Sequence, residues 1–155
     1  MRNINIFFEK KPLNMICLGF SSGLPILLVF STLSVWLVKA GISRSTVTLF
    51  SWAGFAYAFK YLWSPLVDNY KLPIFKKFGH RRSWLLFSQF LIIIALILTA
   101  FTDPKESLFF TALFITILAF FSATQDILID AFRIESAPQS LQGPLSSMYL
   151  SLIHI

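Results

Sequence analysis

Four long apolar stretches, Leu13–Val38, Val47–Val67, Trp84–Phe101 and Leu108–Gln125, alternate with short polar segments and decide the class of this chain. Each is about as long as the ~18–25 residues a helix needs to cross a hydrocarbon core of ~30 Å. Only Lys60 carries charge inside any of them. A bilayer has no water to satisfy free backbone groups, so such segments must be helices packed side by side. A soluble bundle would need a polar stripe along each helix, and Trp84–Phe101 has none. The chain reads as an all-α membrane protein.

With 155 residues, 56% of them apolar, it is one compact membrane unit and not a string of domains. The net charge of +6 does not point to nucleic acid, because the basic residues sit in loops beside the spans, where membrane orientation accounts for them. Cys17 is alone in the first span, which excludes a disulfide framework and a thiolate metal site. Lys10-Lys11 before an apolar run imitates a secretory signal. The run continues to Val38 with no small-residue cleavage site, so it reads as a retained span.

Lys and Arg counts in the short loops set the orientation. The N-terminal tail, the 68–82 loop and the segment after the fourth span hold nine cations, against three on the other side. The N-terminus is expected to be cytoplasmic.

The first span covers 26 residues, ~39 Å as a helix, and must tilt or bend. Gly23-Leu24-Pro25 offers a kink, since Pro25 cannot donate to the helix ladder. Gly19 and Gly23 form a GxxxG that allows close helix approach. Asp103-Pro104 marks the start of the fourth helix, expected over about 107–131. Residues 145–155 look like the beginning of a fifth span, so the chain is expected to be a fragment.

Lys60 is the most unusual residue. A charge at membrane depth costs at least ~2.5–3.5 kcal/mol and normally faces the bundle interior with a partner. Tyr57, Lys60 and Ser64 make one polar stripe, and Asp126, Asp130 and Arg133 share a face of the fourth span. Counted from the outer ends at Ser45 and Leu108, Lys60 lies ~22 Å and Asp126 ~27 Å down. A lysine stem bridges that difference, so Lys60 is expected to pair with Asp126 inside the bundle. The alternatives for Asp126 are a fixed ion pair that pins two helices, or a carboxylate that exchanges protons during a shape change.

Asp68 and Gly79-His80-Arg81-Arg82 bracket the basic loop. The two arginines can bind lipid phosphates or lock onto Asp68, Asp130 or Glu135. Such surface pairs are individually weak and open easily. No hydrolytic triad, phosphate-binding glycine loop, paired thiolate or histidine cluster occurs in the sequence. No enzyme, metal or cofactor is expected.

Asp68…Gly79-x-Arg81-Arg82 resembles the cytoplasmic signature of the major facilitator superfamily, with Ser64 in place of the usual Gly and Asn69 where a basic residue is common. Phe20-Ser21-Ser22-Gly23-Leu24-Pro25, Phe59-Lys60-Tyr61-Leu62-Trp63-Ser64-Pro65 and Ser122-Ala123-Thr124-Gln125-Asp126 follow in order. Together with Gly79–Trp84 they resemble the AmpG muropeptide permease family, as far as about Tyr149. Related acetyl-CoA transporters share parts of the pattern.

The resemblance implies the N-terminal helical bundle of a major facilitator superfamily transporter, with four complete spans plus the start of a fifth. It further implies a multi-pass protein of the bacterial inner membrane that imports anhydromuropeptides for cell-wall recycling by proton symport. Lys60, Gln125, Asp126, Asp130 and Tyr57 then become substrate or coupling residues, and Asp68, Gly79, Arg81, Arg82 and Arg133 the cytoplasmic gate. Two other readings stay open: a carrier of another organic anion, such as an acetyl-CoA-like substrate, and a small non-transporting membrane interaction protein. Four and a fraction spans cannot build a two-bundle cavity, so the chain alone is expected to transport nothing.

Overall fold

The computed structural model describes residues 10–70, 79–136, 142–143 and 146–147. The described residues form helices α1 (Lys10–Leu27), α2 (Leu33–Lys39), α3 (Arg44–Phe50), α4 (Phe55–Ala58), α5 (Ser64–Asn69), α6 (His80–Phe101) and α7 (Leu108–Ser136), with no strand among them. The expected fifth span at 145–155 lies outside them apart from Ser146 and Ser147, as does the Lys71, Lys76, Lys77 run.

Among the described residues, three helical courses are long and apolar enough to cross a membrane: Cys17–Lys39, His80–Phe101 and Leu108–Glu135. The first is α1 continued into α2 through a π turn at Leu28–Thr32. Pro25 sits inside α1 without ending it. The looser π turn follows three residues later, a common way to absorb a defect in the ladder. Gly41 closes α2 at φ 82°, a conformation that suits glycine. There the Ile42 N–H bonds the Leu37 carbonyl at 3.1 Å and the Gly41 N–H bonds that of Val38 at 3.0 Å. Ser43 then caps α3, its hydroxyl accepting from the Thr46 N–H at 3.3 Å.

The second expected span, 47–67, is helical throughout most of its length but is not one α-helix. Short 3₁₀ turns at Ser51–Gly54 and Lys60–Leu62 divide α3, α4 and α5. At the first turn the course presses against α1–α2: a Cβ on Gly54 would stand 2.7 Å from the Phe30 ring. At the second, Pro65 near the start of α5 withholds the amide that a continuous helix would need. The polar stripe read at α-helical spacing is therefore set by these turns.

α7 is the hub. Residues 122 to 129 are all buried, and 61% of its apolar window is covered, against 17% for α6. The main core joins Val29, Leu33 and Leu37 to Ala53, to Ile92 and Ala95 of α6, and to Ile115, Leu118 and Ala119 of α7. Small residues here let the helices approach closely, as membrane packing requires. A second cluster, Val67, Trp84 and Leu128, lies toward the ends of α5 and α7 and the start of α6. Phe90, Ile93 and Ile97 of α6 face outward, as suits a lipid-contacting helix.

Candidate functional site

Lys60 leaves its 3₁₀ turn toward the buried middle of α7. Its Nζ donates to Asp126 Oδ2 and lies 3.7 Å from Asp130 Oδ2. Asp130 also meets Arg133 at 3.3 Å, one turn further on. The other oxygen of Asp126 accepts from the Ser22 hydroxyl of α1 at 2.7 Å. One carboxylate thus ties α1 to the second course through α7, with each of its oxygens satisfied. Tyr57 and Ser122 carry buried hydroxyls one helical turn before Lys60 and Asp126, respectively.

Gln125 faces α1 beside this centre. Its Nε2 donates to the Ser21 backbone oxygen and to the Ser21 hydroxyl, each at 3.1 Å. That backbone oxygen is the one left without an intrahelical donor by Pro25, four residues on. Gln89 of α6 approaches the Ser21 hydroxyl at 3.5 Å. Trp63 Nε1 donates to Thr124 Oγ1 at 3.2 Å, which fixes the second course against the same stretch of α7.

A second constellation joins the ends of α5, α6 and α7. Arg81 pairs with Glu135 at 2.9 Å and with Asp68 at 3.9 Å. His80 Nε2 donates to the Asp68 backbone oxygen at 2.8 Å. Gly79 starts α6 at φ 86°, turning the chain so that Arg81 points at both acids. Both acids are exposed (45% for Asp68 and 61% for Glu135), so each pair contributes only ~0–1 kcal/mol.

The structure therefore gathers Lys60, Gln125, Asp126 and Asp130 in one site, with Tyr57 adjacent. It brings Asp68, Gly79 and Arg81 together at the helix ends. Arg133 stands apart from that second group, bonded to Asp130 and to the Ser146 hydroxyl at 3.1 Å. Arg82 is exposed and makes no ion pair among the described residues. Ser21, Ser22 and Gln89 were not singled out by sequence reasoning. The usable signal was register: Ser21 lies four residues before Pro25 and so must lose its helical donor. Among the described residues no trio of His, Cys, Asp or Glu gathers to hold a metal.

Comparison with known proteins bears on what such a site serves. The putative transporter AmpG 4 of Rickettsia conorii is 39% identical over 147 residues, 95% of this chain and 36% of that protein. Its Rickettsia felis counterpart is 43% identical over 139 residues, 88% of this chain and 33% of the relative. The anhydromuropeptide permease of Escherichia coli K12 is 39% identical over 140 residues, 90% of this chain and 28% of the permease. The chain spans about a third of the length of these relatives. Three apolar helices and permease relatives together make it a multi-pass membrane protein. A profile described as acetyl-coenzyme A transporter 1 matches residues 13–112, well over half of the sequence. This chain belongs to the acetyl-coenzyme A transporter 1 family, and relatives named AmpG match it over most of its length.

Proposed function

We propose that the chain supplies the N-terminal helices of a proton-coupled carrier that imports anhydromuropeptides across the bacterial inner membrane. The observation that carries this reading is the Lys60 ammonium placed between Asp126 and Asp130. A proton taken up by Asp126 removes one negative charge, and the ammonium then favours Asp130. The energy of such an exchange is large where water is scarce. The Escherichia coli relative's name supplies the substrate class. Arg81 with Asp68 and Glu135 acts as the cytoplasmic gate, closed by weak pairs that the transport cycle breaks. Arg82 is left to meet anionic lipid headgroups.

A second reading is favoured by the family description, which names an acetyl-coenzyme A transporter. There Lys60 would attract an anionic acyl carrier. Uptake of labelled anhydromuropeptide into vesicles holding the complete carrier, with and without an uncoupler, tests the first reading. Uncoupler-sensitive uptake supports it. Uptake that is absent, while acetyl-coenzyme A accumulates, favours the second.

A further inference from the structure

Two consecutive residues of α1 bond two consecutive residues of α7 immediately ahead of Pro25. Ser21 accepts from Gln125 through its backbone oxygen and its hydroxyl, each at 3.1 Å. Ser22 donates to Asp126 at 2.7 Å. The two bonds differ in kind. The amide bond of Gln125 is neutral at both ends and indifferent to charge. The hydroxyl bond of Ser22 ends on a carboxylate oxygen, and a bond to an ionised acceptor is about twice as strong as one to a neutral acceptor.

We propose that Ser22 and Gln125 are positioning residues that tie the charge state of Asp126 to the interrupted turn of α1 ahead of Pro25. This rests on the proton-coupled reading of Asp126 given above. With Asp126 ionised, both clasps hold and the turn is fixed to α7. When Asp126 takes a proton, the Ser22 bond weakens and the Gln125 clasp alone keeps its strength. The turn is the place where such a release can act, because its backbone ladder is already short of one donor at Pro25. The charged and titratable groups around Asp126 are Lys60 and Tyr57 on the second course and Asp130 and Arg133 on α7. α1 and α6 present the uncharged Ser21, Ser22 and Gln89.

The arrangement separates positioning from simple packing. Ser22 should carry the response to protonation, whereas Gln125 should set the resting position at every pH. Spin labels at the exposed sites Val35 and Phe109 (53% and 75% exposed) report α2 against α7. The complete carrier is placed in phospholipid vesicles, with its native cysteines replaced (Cys17→Ser here), and distances are read from acidic to alkaline pH. The parent should show a pH-dependent change in distance that Asp126→Asn abolishes. Ser22→Ala should also lose that change, and Ser22→Thr, which keeps the hydroxyl, should retain it. Gln125→Leu should shift the distances at all pH values yet keep the change.

A Ser22→Ala protein that responds as the parent does would overturn the coupling role while leaving the proton-coupled reading standing. A parent that shows no response overturns both.

Discussion

Lys60 Nζ and Asp130 Oδ2 stand 3.7 Å apart although the same ammonium already pairs with Asp126, one turn earlier on α7. One cation thus serves two carboxylates on a single helix face. The two contacts differ: Asp126 accepts a direct hydrogen bond from the ammonium, whereas the more exposed Asp130 stands within reach of it and also pairs with Arg133.

Removing the cation should be worse than removing the pair. Lys60→Met leaves Asp126 without its cation, and breaking a buried pair from one side costs ~3–5 kcal/mol. Lys60 is 31% exposed on its side chain, so the lower part of that range or less is expected. The double variant Lys60→Met with Asp126→Asn should recover most of the loss in thermal unfolding, but not uptake. A double variant as unstable as the single would contradict the pairing.

Gly54 should tolerate no side chain unless Phe30 yields. Gly54→Ala places a Cβ 2.7 Å from the Phe30 ring, and such overpacking costs ~1–3 kcal/mol. Phe30 is itself exposed, so adding Phe30→Ala should relieve the crowding without opening an enclosed cavity, and the two effects in thermal unfolding should be strongly non-additive.

Gly41 is constrained differently. A Cβ there meets nothing within 4 Å, but φ is +82°. Gly41→Ala should therefore cost ~1–2 kcal/mol through backbone strain alone, and no neighbouring substitution should compensate. Gly41→Asn, better suited to that conformation, should cost less in the same unfolding assay.

Opening the Arg81 pairs should expose the helix ends that they join, the end proposed above as the gate, without unfolding it. Cys17 lines the same groove as Arg81 and Arg82, a space of 560 Å³. Arg81→Ala removes interactions of about 1 kcal/mol, equivalent to a factor of about 5 in an opening equilibrium. Alkylation of Cys17 by a membrane-impermeant maleimide should quicken by about that factor, with little change in unfolding temperature. Unchanged labelling would remove Arg81 from the gate.

The helical membrane class was legible because it depends on long apolar runs, a property of summed hydropathy that packing does not alter. The meeting of Lys60 with Asp126 was legible from depth arithmetic, since both residues sit at similar distances from the same end of two helical courses that run in the same direction. The first break in the second course was not, because the contact of Gly54 with Phe30 is long-range and leaves no local mark; the second break carries one in Pro65. Helix ends were extended as well: α1 begins at Lys10 and α7 runs to Ser136, because charged residues continue a helix past its apolar stretch. Ser21, Ser22 and Gln89 were hidden for another reason. Uncharged polar residues in a membrane helix become informative only when a donor is known to be missing nearby.

The central claim is that proton uptake acts through Asp126 beside Lys60. The most direct measurement is uptake of labelled anhydromuropeptide as a function of external pH, in the complete carrier with Asp126 and with Asp126→Asn. A proton-driven importer should gain uptake as the outside becomes more acidic, and the asparagine variant should lose both that dependence and most of the uptake. Asp126→Asn uptake that equals the parent and follows the same pH curve would contradict it.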